Sequence, residues 1–360
     1  MSVSRRALTR VLLRNFTALA LAVLPVAAVQ AQFVPPRNLD PAGAAIRLDS
    51  SFQNDAWLVY AYDIDETGKV VNPQIYSSNG VLEVEQAILR QLSAMQFQPA
   101  TRNGKPVKVP AEPVVYTWIL DLPRKMSPAF EDAYRKAWDL YSQENYDAAF
   151  DQAVELKNFP GRNALEEVKF QILAASLASR WKDDAAEMQH LSRVVELQSL
   201  AMDNNFKNTY VTQDQFLKIL SRILDLQLQR MMLADAGDTL DRMQSLGRGT
   251  QVVDEAAARY RAAEADFRSR PEVVVSGELV PLYQGGSGSW KSGLTWSDFS
   301  ISDVRGKVGG VYLVCGGREQ GLHYPTKTRW TVPVGWNDCA VELVGKAGTR
   351  LKLHQFAPGN

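Results

Sequence analysis

Hydrophobic residues near the start of the chain follow a strand pattern and then change to a helical spacing. The segment Trp57–Asp65 is rich in aromatic and β-branched residues and predicts a strand. A glycine-containing turn follows, and Val70–Ser78 predicts the antiparallel partner strand. Apolar residues then recur on one helical stripe over Leu82–Met95, which predicts an amphipathic helix.

The end of this helix is marked by Phe97-Gln98-Pro99. A residue that precedes proline avoids the αR region, so we expect the helix to end here and Phe97 to pack into the core. Asn103-Gly104 predicts a tight turn, and Val107–Leu120 predicts a further strand. The first region, residues 33–123, is therefore predicted to be an α+β domain with the element order ββαβ.

The middle region, residues 127–270, has a helical pattern throughout and contains little glycine or proline. The segment Ala133–Leu156 resembles a tetratricopeptide unit, with small residues at Ala137 and Ala149 where two helices would cross closely. A looser copy, Phe170–Leu197, places Ala186 at the position of Ala149. Further helices are predicted at Phe216–Leu233, Thr239–Leu246 and Val253–Phe267. The resemblance implies a tetratricopeptide-like helical stack.

The third region, residues 272–360, returns to short β-forming segments separated by turns. This spacing predicts a small antiparallel β domain, either a sandwich or a barrel. Within it, Gly285–Ser289 is predicted to be a flexible loop between strands. Six aromatic residues cluster in this region, and they either fill the core or form an exposed platform for sugar rings: Trp290, Trp296, Tyr312, Tyr324, Trp330 and Trp336.

The N-terminal segment, residues 1–31, has the features of a secretory signal peptide. Four arginines precede an apolar run from Phe16 to Val29, and small residues surround a cleavage site before Gln32. The apolar run is short for a membrane span and contains Pro25, which favours cleavage over a retained anchor. We therefore expect an exported protein of the bacterial periplasm that is not embedded in the membrane after cleavage.

The composition limits the possible partners and chemistry. Lys and Arg together number 40, as do Asp and Glu, so the chain lacks the excess of positive charge that nucleic-acid binding requires. The only two cysteines, Cys315 and Cys339, are expected to form a disulfide in an oxidising compartment. A zinc site with His323 and His354 is the alternative, but the four residues lack paired ligand spacing. We find no catalytic motif and expect a non-enzymatic protein without a cofactor.

Several pieces of the first region resemble, in order, the C-terminal domain family of TonB, the periplasmic energy transducer. They are Asp65-Glu66-Thr67-Gly68-Lys69-Val70, Ser77-Ser78-Asn79-Gly80, the amphipathic helix, Phe97-Gln98-Pro99-Ala100 and Asn103-Gly104-Lys105-Pro106-Val107. Each piece alone is an ordinary turn or helix end, whereas their order and spacing are specific. The resemblance covers about residues 50–122 and implies a domain that binds an extended peptide as an additional strand.

The resemblance implies where such a peptide would bind. The last predicted strand is expected to be the sheet edge to which a partner adds, with main-chain hydrogen bonds supplying affinity. Pro110 and Pro113 lie at its start, where proline is tolerated in an edge strand. The expected partner-binding residues are Val114, Val115, Tyr116, Thr117, Trp118 and Ile119. The partners would be envelope proteins, including an extended segment of an outer-membrane receptor.

Two other functions are compatible with the sequence. If the N-terminus stays as an anchor, the chain would be a TonB-type energy transducer for outer-membrane transport, although it lacks a proline-rich spacer and places two more regions after the TonB-like one. If the third region binds or cleaves its own ligand, the chain would be a cell-wall glycan-binding protein or an envelope enzyme.

We predict that the mature protein begins at or near Gln32, because the Arg-rich start, the apolar run and the small residues before Gln32 form a cleavable signal. N-terminal sequencing of the protein purified from the cell envelope checks this. An envelope form that still carries Met1 or Ser2 would contradict it.

Overall fold

The computed structural model describes residues 33–39, 46, 48, 52–109, 113–122, 124–281 and 287–359. The predicted signal segment, residues 1–31, lies outside the described residues, as does Pro110. The described part of the chain is a mixed α/β structure with eight helices and several small antiparallel sheets. This agrees with the predicted multidomain α+β class.

The described residues of the first region form one helix, α1 (Leu82–Ala94), and eight strands. The strands are β1 (Phe33–Val34), β2 (Arg37–Asn38), β3 (Ala56–Ile64), β4 (Val70–Ser78), β5 (Phe97–Gln98), β6 (Thr101–Arg102), β7 (Lys105–Pro106) and β8 (Val114–Trp118). The main sheet has the order β4-β3-β8, with β3 in the centre. The predicted ββαβ order is present, and short strands are inserted between α1 and β8.

The helix α1 covers one face of the main sheet, because its apolar stripe matches the alternating inward residues of β3. Val84, Ile88 and Leu92 of α1 are fully buried and share a core with Leu58 and Tyr60 of β3. Burial raises the pKa of Tyr60 to about 12. The opposite face of the sheet is left to the helical region.

The turn residues of the first region act as the sequence predicted. Phe97 is buried in the same core as α1. Gly68 has a φ of +84°, and a Cβ atom there would lie 1.8 Å from the carbonyl oxygen of Phe97. Asn103 and Gly104, both with positive φ, connect β6 to β7 as a two-residue hairpin loop. The single strand predicted over Val107–Leu120 is wrong in extent, because regular pairing with β3 begins only at Val114.

The middle region consists of seven helices in its described residues. They are α2 (Pro128–Ser142), α3 (Tyr146–Lys157), α4 (Ala164–Arg180), α5 (Asp184–Asp203), α6 (Gln213–Gln229), α7 (Leu233–Gly247) and α8 (Gln251–Ser269). Consecutive helices pack in pairs, α2 with α3, α4 with α5, and α6 with α7. Ala137 and Ala149 are fully buried where α2 and α3 meet, whereas Ala186 of α5 is partly exposed.

The third region contains nine strands among the residues described. They are β9 (Glu272–Glu278), β10 (Val280–Pro281), β11 (Ser287–Gly293), β12 (Asp298–Arg305), β13 (Val308–Cys315), β14 (Arg318–Gly321), β15 (Arg329–Thr331), β16 (Cys339–Lys346) and β17 (Arg350–Phe356). One sheet has the order β10-β11-β16-β13-β14 and the other β15-β12-β17-β9. Both sheets contribute to one apolar core, which makes the region a sandwich.

The prediction of a flexible loop over Gly285–Ser289 is wrong for its last three residues, which begin β11, and Gly285 and Gly286 lie outside the described residues. The reason is close packing: a Cβ atom on Gly288 would lie 2.9 Å from the Cα atom of Ala347. Glycine in this strand therefore permits close approach of a neighbouring backbone, and it does not indicate a loop.

The aromatic residues of the third region contribute mainly to packing. Trp290, Trp296 and Trp330 are buried. Tyr324 and Trp336 are partly buried and pack against the sandwich core. The core-filling interpretation therefore accounts for most of the aromatic cluster.

The predicted disulfide is confirmed. Cys315 of β13 lies directly opposite Cys339 of β16, and their sulfur atoms are bonded. The alternative zinc site would need both thiolates, and the described residues contain no group of three or more His, Cys, Asp or Glu side chains that could hold a metal ion. The helices of the described residues are all too short or too polar to cross a membrane.

Candidate functional site

The strand β8 is a regular edge of the main sheet. Within the described residues it pairs only with β3, and the register from Ala56 to Tyr60 runs without a shift. The opposite edge, β4, contains Pro73 and two register shifts. Proline and bulges protect a sheet edge against pairing with another chain. Of the two edges, β8 is therefore the one that can accept another strand.

Alternation along β3 shows which backbone groups of β8 point outward. The Trp57 N–H donates to Asn79 Oδ1, and the Trp57 carbonyl accepts from the Asn79 N–H, so the backbone of Trp57 faces β4. The next residue, Leu58, must then face β8, where it lies opposite Tyr116. The N–H and C=O groups of Tyr116 consequently point to β3, and those of Val115 and Thr117 point away from the sheet.

The six residues predicted to bind a partner have different environments. Tyr116 and Trp118 pack their side chains against the core of the first region. Val114 and Val115 are 40% and 50% exposed. Thr117 is half-buried, and its hydroxyl has no hydrogen-bond partner in the structure. Ile119 lies beyond the end of β8 and packs against the core of the helical region, so its side chain belongs to the interface between regions.

A cavity of about 530 Å³, here called the central cavity, lies where the three regions meet. Trp57, Val59 and Val115 line it from the sheet face that α1 leaves uncovered. The helix α5 contributes His190 and Arg193, and the third region contributes β10 and β11. The open edge of the sheet thus borders a space that all three regions line.

Two further cavities adjoin the central cavity. The first, the edge cavity of about 440 Å³, lies between β8 and the strands β11, β13 and β16, and it shares Val115 and Ser289 with the central cavity. The second, the helical groove of about 400 Å³, is formed by α3, α4 and α5, and it shares Lys157, Phe170 and His190 with the central cavity. The three spaces therefore adjoin one another, with the central cavity in the middle.

The ionisable residues of the central cavity leave one unpaired cation. Arg193 forms an ion pair of 2.7 Å with Glu196, and its guanidinium lies 5.7 Å from the centre of the Trp57 ring. Burial lowers the pKa of His190, and the charge of Lys157 lowers it further. The Nδ1 atom of His190 lies 2.6 Å from Gln171 Oε1. Lys157 has no ion pair within the described part of the chain.

The main sheet forms the first wall of the central cavity, and the buried carboxylate of Asp55 holds this sheet against the helices. The Asp55 side chain is 0% exposed. Its Oδ1 atom accepts hydrogen bonds from the Leu120 N–H at 3.0 Å and the Arg124 guanidinium at 2.5 Å. Its Oδ2 atom accepts from the N–H of Ala164, the first residue of α4, at 2.9 Å. The start of β3, the segment after β8 and the N-terminus of α4 therefore meet at one charge, in the position that a helix dipole favours.

Asn79 reinforces this contact from the end of β4. Its side-chain amide donates to the carbonyl oxygens of Asp55 and Arg162, both at 2.9 Å. Its own carbonyl accepts from the Gly161 N–H at 2.7 Å. The loop between α3 and α4 is thus bonded to the sheet, which orients the uncovered sheet face toward the helices.

The sandwich forms the second wall of the central cavity. It is attached to the helices through Asp235, in the first turn of α7. Its carboxylate accepts hydrogen bonds from the Gly293 N–H at 3.0 Å and the Ser292 hydroxyl at 3.3 Å, both on β11. A Cβ atom on Gly293 would lie 2.7 Å from the Ala234 Cβ, so glycine permits this close approach. Burial raises the pKa of Asp235, and the two hydrogen bonds oppose that rise.

A serine, a histidine and a glutamate meet on the outer face of the sandwich, an arrangement that the sequence analysis did not identify. The Ser302 hydroxyl lies 2.6 Å from Nε2 of His354, whose Nδ1 atom contacts the carboxylate of Glu272. Acyl transfer also needs a substrate cavity and backbone donors for the oxyanion. None of the three cavities described above includes these residues. Their evident effect is to join β12, β17 and β9 through side chains.

No protein-family model, curated protein or solved structure matches this chain.

We expect Asp55→Ala to destabilise the protein by about 3–5 kcal/mol, because it leaves the Arg124 charge buried without a partner and frees two backbone N–H groups. Urea unfolding followed by tryptophan fluorescence measures this. Asp132→Ala is the matched control: Asp132 also pairs with an arginine, but both side chains are mostly exposed, so its effect should stay below about 1 kcal/mol. Equal effects of the two substitutions would contradict the role given to Asp55.

We expect the stability difference between Asp235→Asn and the native protein to depend on pH. The folded protein raises the pKa of Asp235 above its unfolded value, so the native protein loses stability as the pH rises through that interval. Asp235→Asn lacks this loss, and its advantage should grow between about pH 4 and pH 7. Urea unfolding at both pH values measures the difference.

Asp303 provides a control of opposite sign. Its hydrogen bond to Lys352 lowers its pKa, so its contribution to stability is lost as the pH falls through the lowered value. Asp303→Asn should therefore lose stability relative to the native protein as the pH rises, by a small amount because the pair is exposed. An Asp235→Asn variant that follows the same direction would show that the Asp235 carboxylate is stabilised by its site.

Proposed function

We propose that this chain is an exported interaction protein of the periplasm that binds an extended polypeptide by strand addition to β8. The observation that carries the proposal is the outward orientation of the Val115 and Thr117 backbone groups on a regular sheet edge beside the edge cavity and the central cavity. The resemblance of residues 50–122 to TonB C-terminal domains supports the same mode of binding. The disulfide between Cys315 and Cys339 fits an oxidising compartment.

The added strand would gain main-chain hydrogen bonds at two residues of β8. Val115 and Thr117 each offer one N–H donor and one C=O acceptor, and each bond contributes about 1 kcal/mol net. Pro113 ends the row of donors on one side, because proline has no N–H group. Four bonds alone give weak binding, so side chains of the partner would supply much of the affinity and selectivity in the adjoining cavities.

The other two regions would provide the surroundings of the bound strand. The middle region would act as the tetratricopeptide-like scaffold that the sequence suggests, with α4 and α5 facing the uncovered side of the sheet. The sandwich would form the far wall of the edge cavity through β11, β13 and β16. The partners of this binding mode would be envelope proteins with an extended, exposed segment.

We expect Thr117→Pro to weaken peptide binding by about tenfold or more without unfolding the protein, because it removes an outward N–H group and leaves the pairing with β3 intact. The probes are peptides selected from a phage-displayed library of random sequences of about twelve residues on the immobilised full chain. Fluorescence anisotropy of the labelled peptides measures their affinity for each variant.

Two further proline variants are the controls. Tyr116→Pro removes an N–H group that points to β3 and should lower the free energy of unfolding by about 3 kcal/mol or more. Glu319 lies on β14, the edge of the five-stranded sheet. The Val311 carbonyl accepts from the Leu322 N–H, so by alternation Glu319, paired with Val314, points its N–H outward. Glu319→Pro should leave peptide affinity unchanged, and unchanged affinity in Thr117→Pro would refute strand addition at β8.

A further inference from the structure

We propose that the polypeptide bound at β8 continues through the central cavity into the helical groove, where it places an acidic residue beside Lys157 and a large apolar side chain against Phe150 and Trp181. This inference rests on the proposed function and extends it to the chemistry of the partner. It assigns a ligand-binding role to the surface of α3, α4 and α5.

The first argument is that the three cavities adjoin one another. Val115 of β8 lines both the edge cavity and the central cavity, as does Ser289 of β11. Lys157, Phe170 and His190 line both the central cavity and the helical groove. The central cavity therefore lies next to both the sheet edge and the helical groove, on the route that a chain leaving β8 would take to the helices.

The second argument is the exposure of large apolar residues in the helical groove. Phe150 is 47% exposed, Val154 is 40% exposed and Trp181 is 46% exposed. The rings of Phe150 and Trp181 meet edge to face, with their centres 5.4 Å apart. Exposed aromatic residues in a concave site gain energy when an apolar side chain covers them, and such residues commonly dominate the energy of an interface.

The third argument is the charge of the residues at the boundary between the central cavity and the helical groove. Among the described residues that line the helical groove, Lys157, Asp183 and His190 can carry charge. The Asp183 carboxylate accepts the N–H of Ala186 at the start of α5 and lines the helical groove but not the central cavity. Burial favours the neutral form of His190. At this boundary, the exposed ammonium group of Lys157 has no ion pair among the described residues, and a carboxylate of the partner complements it.

These observations favour a partner segment that combines strand-forming, acidic and large apolar residues. A second copy of this chain fits less well through its own edge strand, since β8 has the sequence Val-Val-Tyr-Thr-Trp without an acid. Lys157, Phe150 and Trp181 all line the helical groove, away from β8. Along the partner's chain, the acidic residue and the large apolar residue should therefore both precede or both follow the segment that pairs with β8.

A reversal of charge preference tests the inference. The random-peptide library is selected in parallel on the native chain and on Lys157→Glu, with Lys136→Glu as the matched control, because Lys136 is an exposed residue of α2 that lines none of the three cavities. We expect acidic residues to be enriched on the native chain and on the control, and basic residues to be enriched on Lys157→Glu. Peptides selected on the native chain should lose about tenfold or more in affinity for Lys157→Glu.

Trp181→Ala tests the apolar contact. Selection on this variant should no longer enrich large apolar residues next to the acid, and the native-selected peptides should again bind about tenfold more weakly. Because both Lys157 and Trp181 are exposed, the variants should keep the unfolding midpoint of the native protein. A shifted midpoint would be resolved by Trp181→Phe, which should restore binding if an aromatic ring is what the partner contacts.

The outcomes separate this inference from strand addition. Peptides that depend on Thr117 but bind Lys157→Glu and Trp181→Ala with native affinity would overturn the extended path and leave strand addition in place. Peptides that depend on Lys157 and Trp181 but not on Thr117 would overturn strand addition. A selection that enriches no peptide on the native chain would overturn both.

Discussion

The relative position of the first two regions depends on the buried carboxylate of Asp55. A charge removed from water costs several kcal/mol unless hydrogen bonds and an opposite charge replace its hydration. Here the replacements come from distant parts of the chain: Leu120, Arg124 and Ala164. Because all three must be in place at once, a displaced arrangement of the sheet and the helices would leave the carboxylate without partners. The burial of this charge therefore selects one arrangement.

A buried carboxylate also joins the helices to the sandwich. Asp235 reaches the backbone of β11, and Gly293 allows α7 and β11 to approach closely. The contacts of Asp55 and Asp235 hold the main sheet and the sandwich against the helical region. The space between these three parts is the central cavity. Asp55 and Asp235 make polar contacts at its margins, and an apolar cluster of Leu233, Phe267, Val273 and Trp296 also joins the helices to the sandwich.

The sandwich and the helices lie beside the open edge of β8. An exposed, regular sheet edge is a hazard for aggregation, and proteins usually protect such edges with bulges, proline or charge. The strand β4 has such protection, whereas β8 is bordered by the edge cavity and the central cavity and keeps Val115 half exposed. Under the proposed function, an extended segment would pair with this edge and place its side chains in the adjoining cavities.

The sequence alone determined the local elements and their class. Hydrophobic periodicity predicted β3, β4, α1 and most helices, because a local pattern suffices to choose between strand and helix. The Asn103-Gly104 turn followed from conformational preference, and the disulfide followed from the number of cysteines and the expected compartment.

Tertiary structure decided what depends on close approach between distant segments. The start of β11 was predicted to be a loop, because a glycine-rich sequence occurs both in flexible segments and in tightly packed strands. Ile119 was expected at the binding edge, but the helical core captures its side chain. The contact between Asp55 and Ala164 spans 109 residues, and the groove around Phe150 and Trp181 requires two helix pairs to meet. Such features arise from packing in three dimensions, so no pattern along the chain can reveal them.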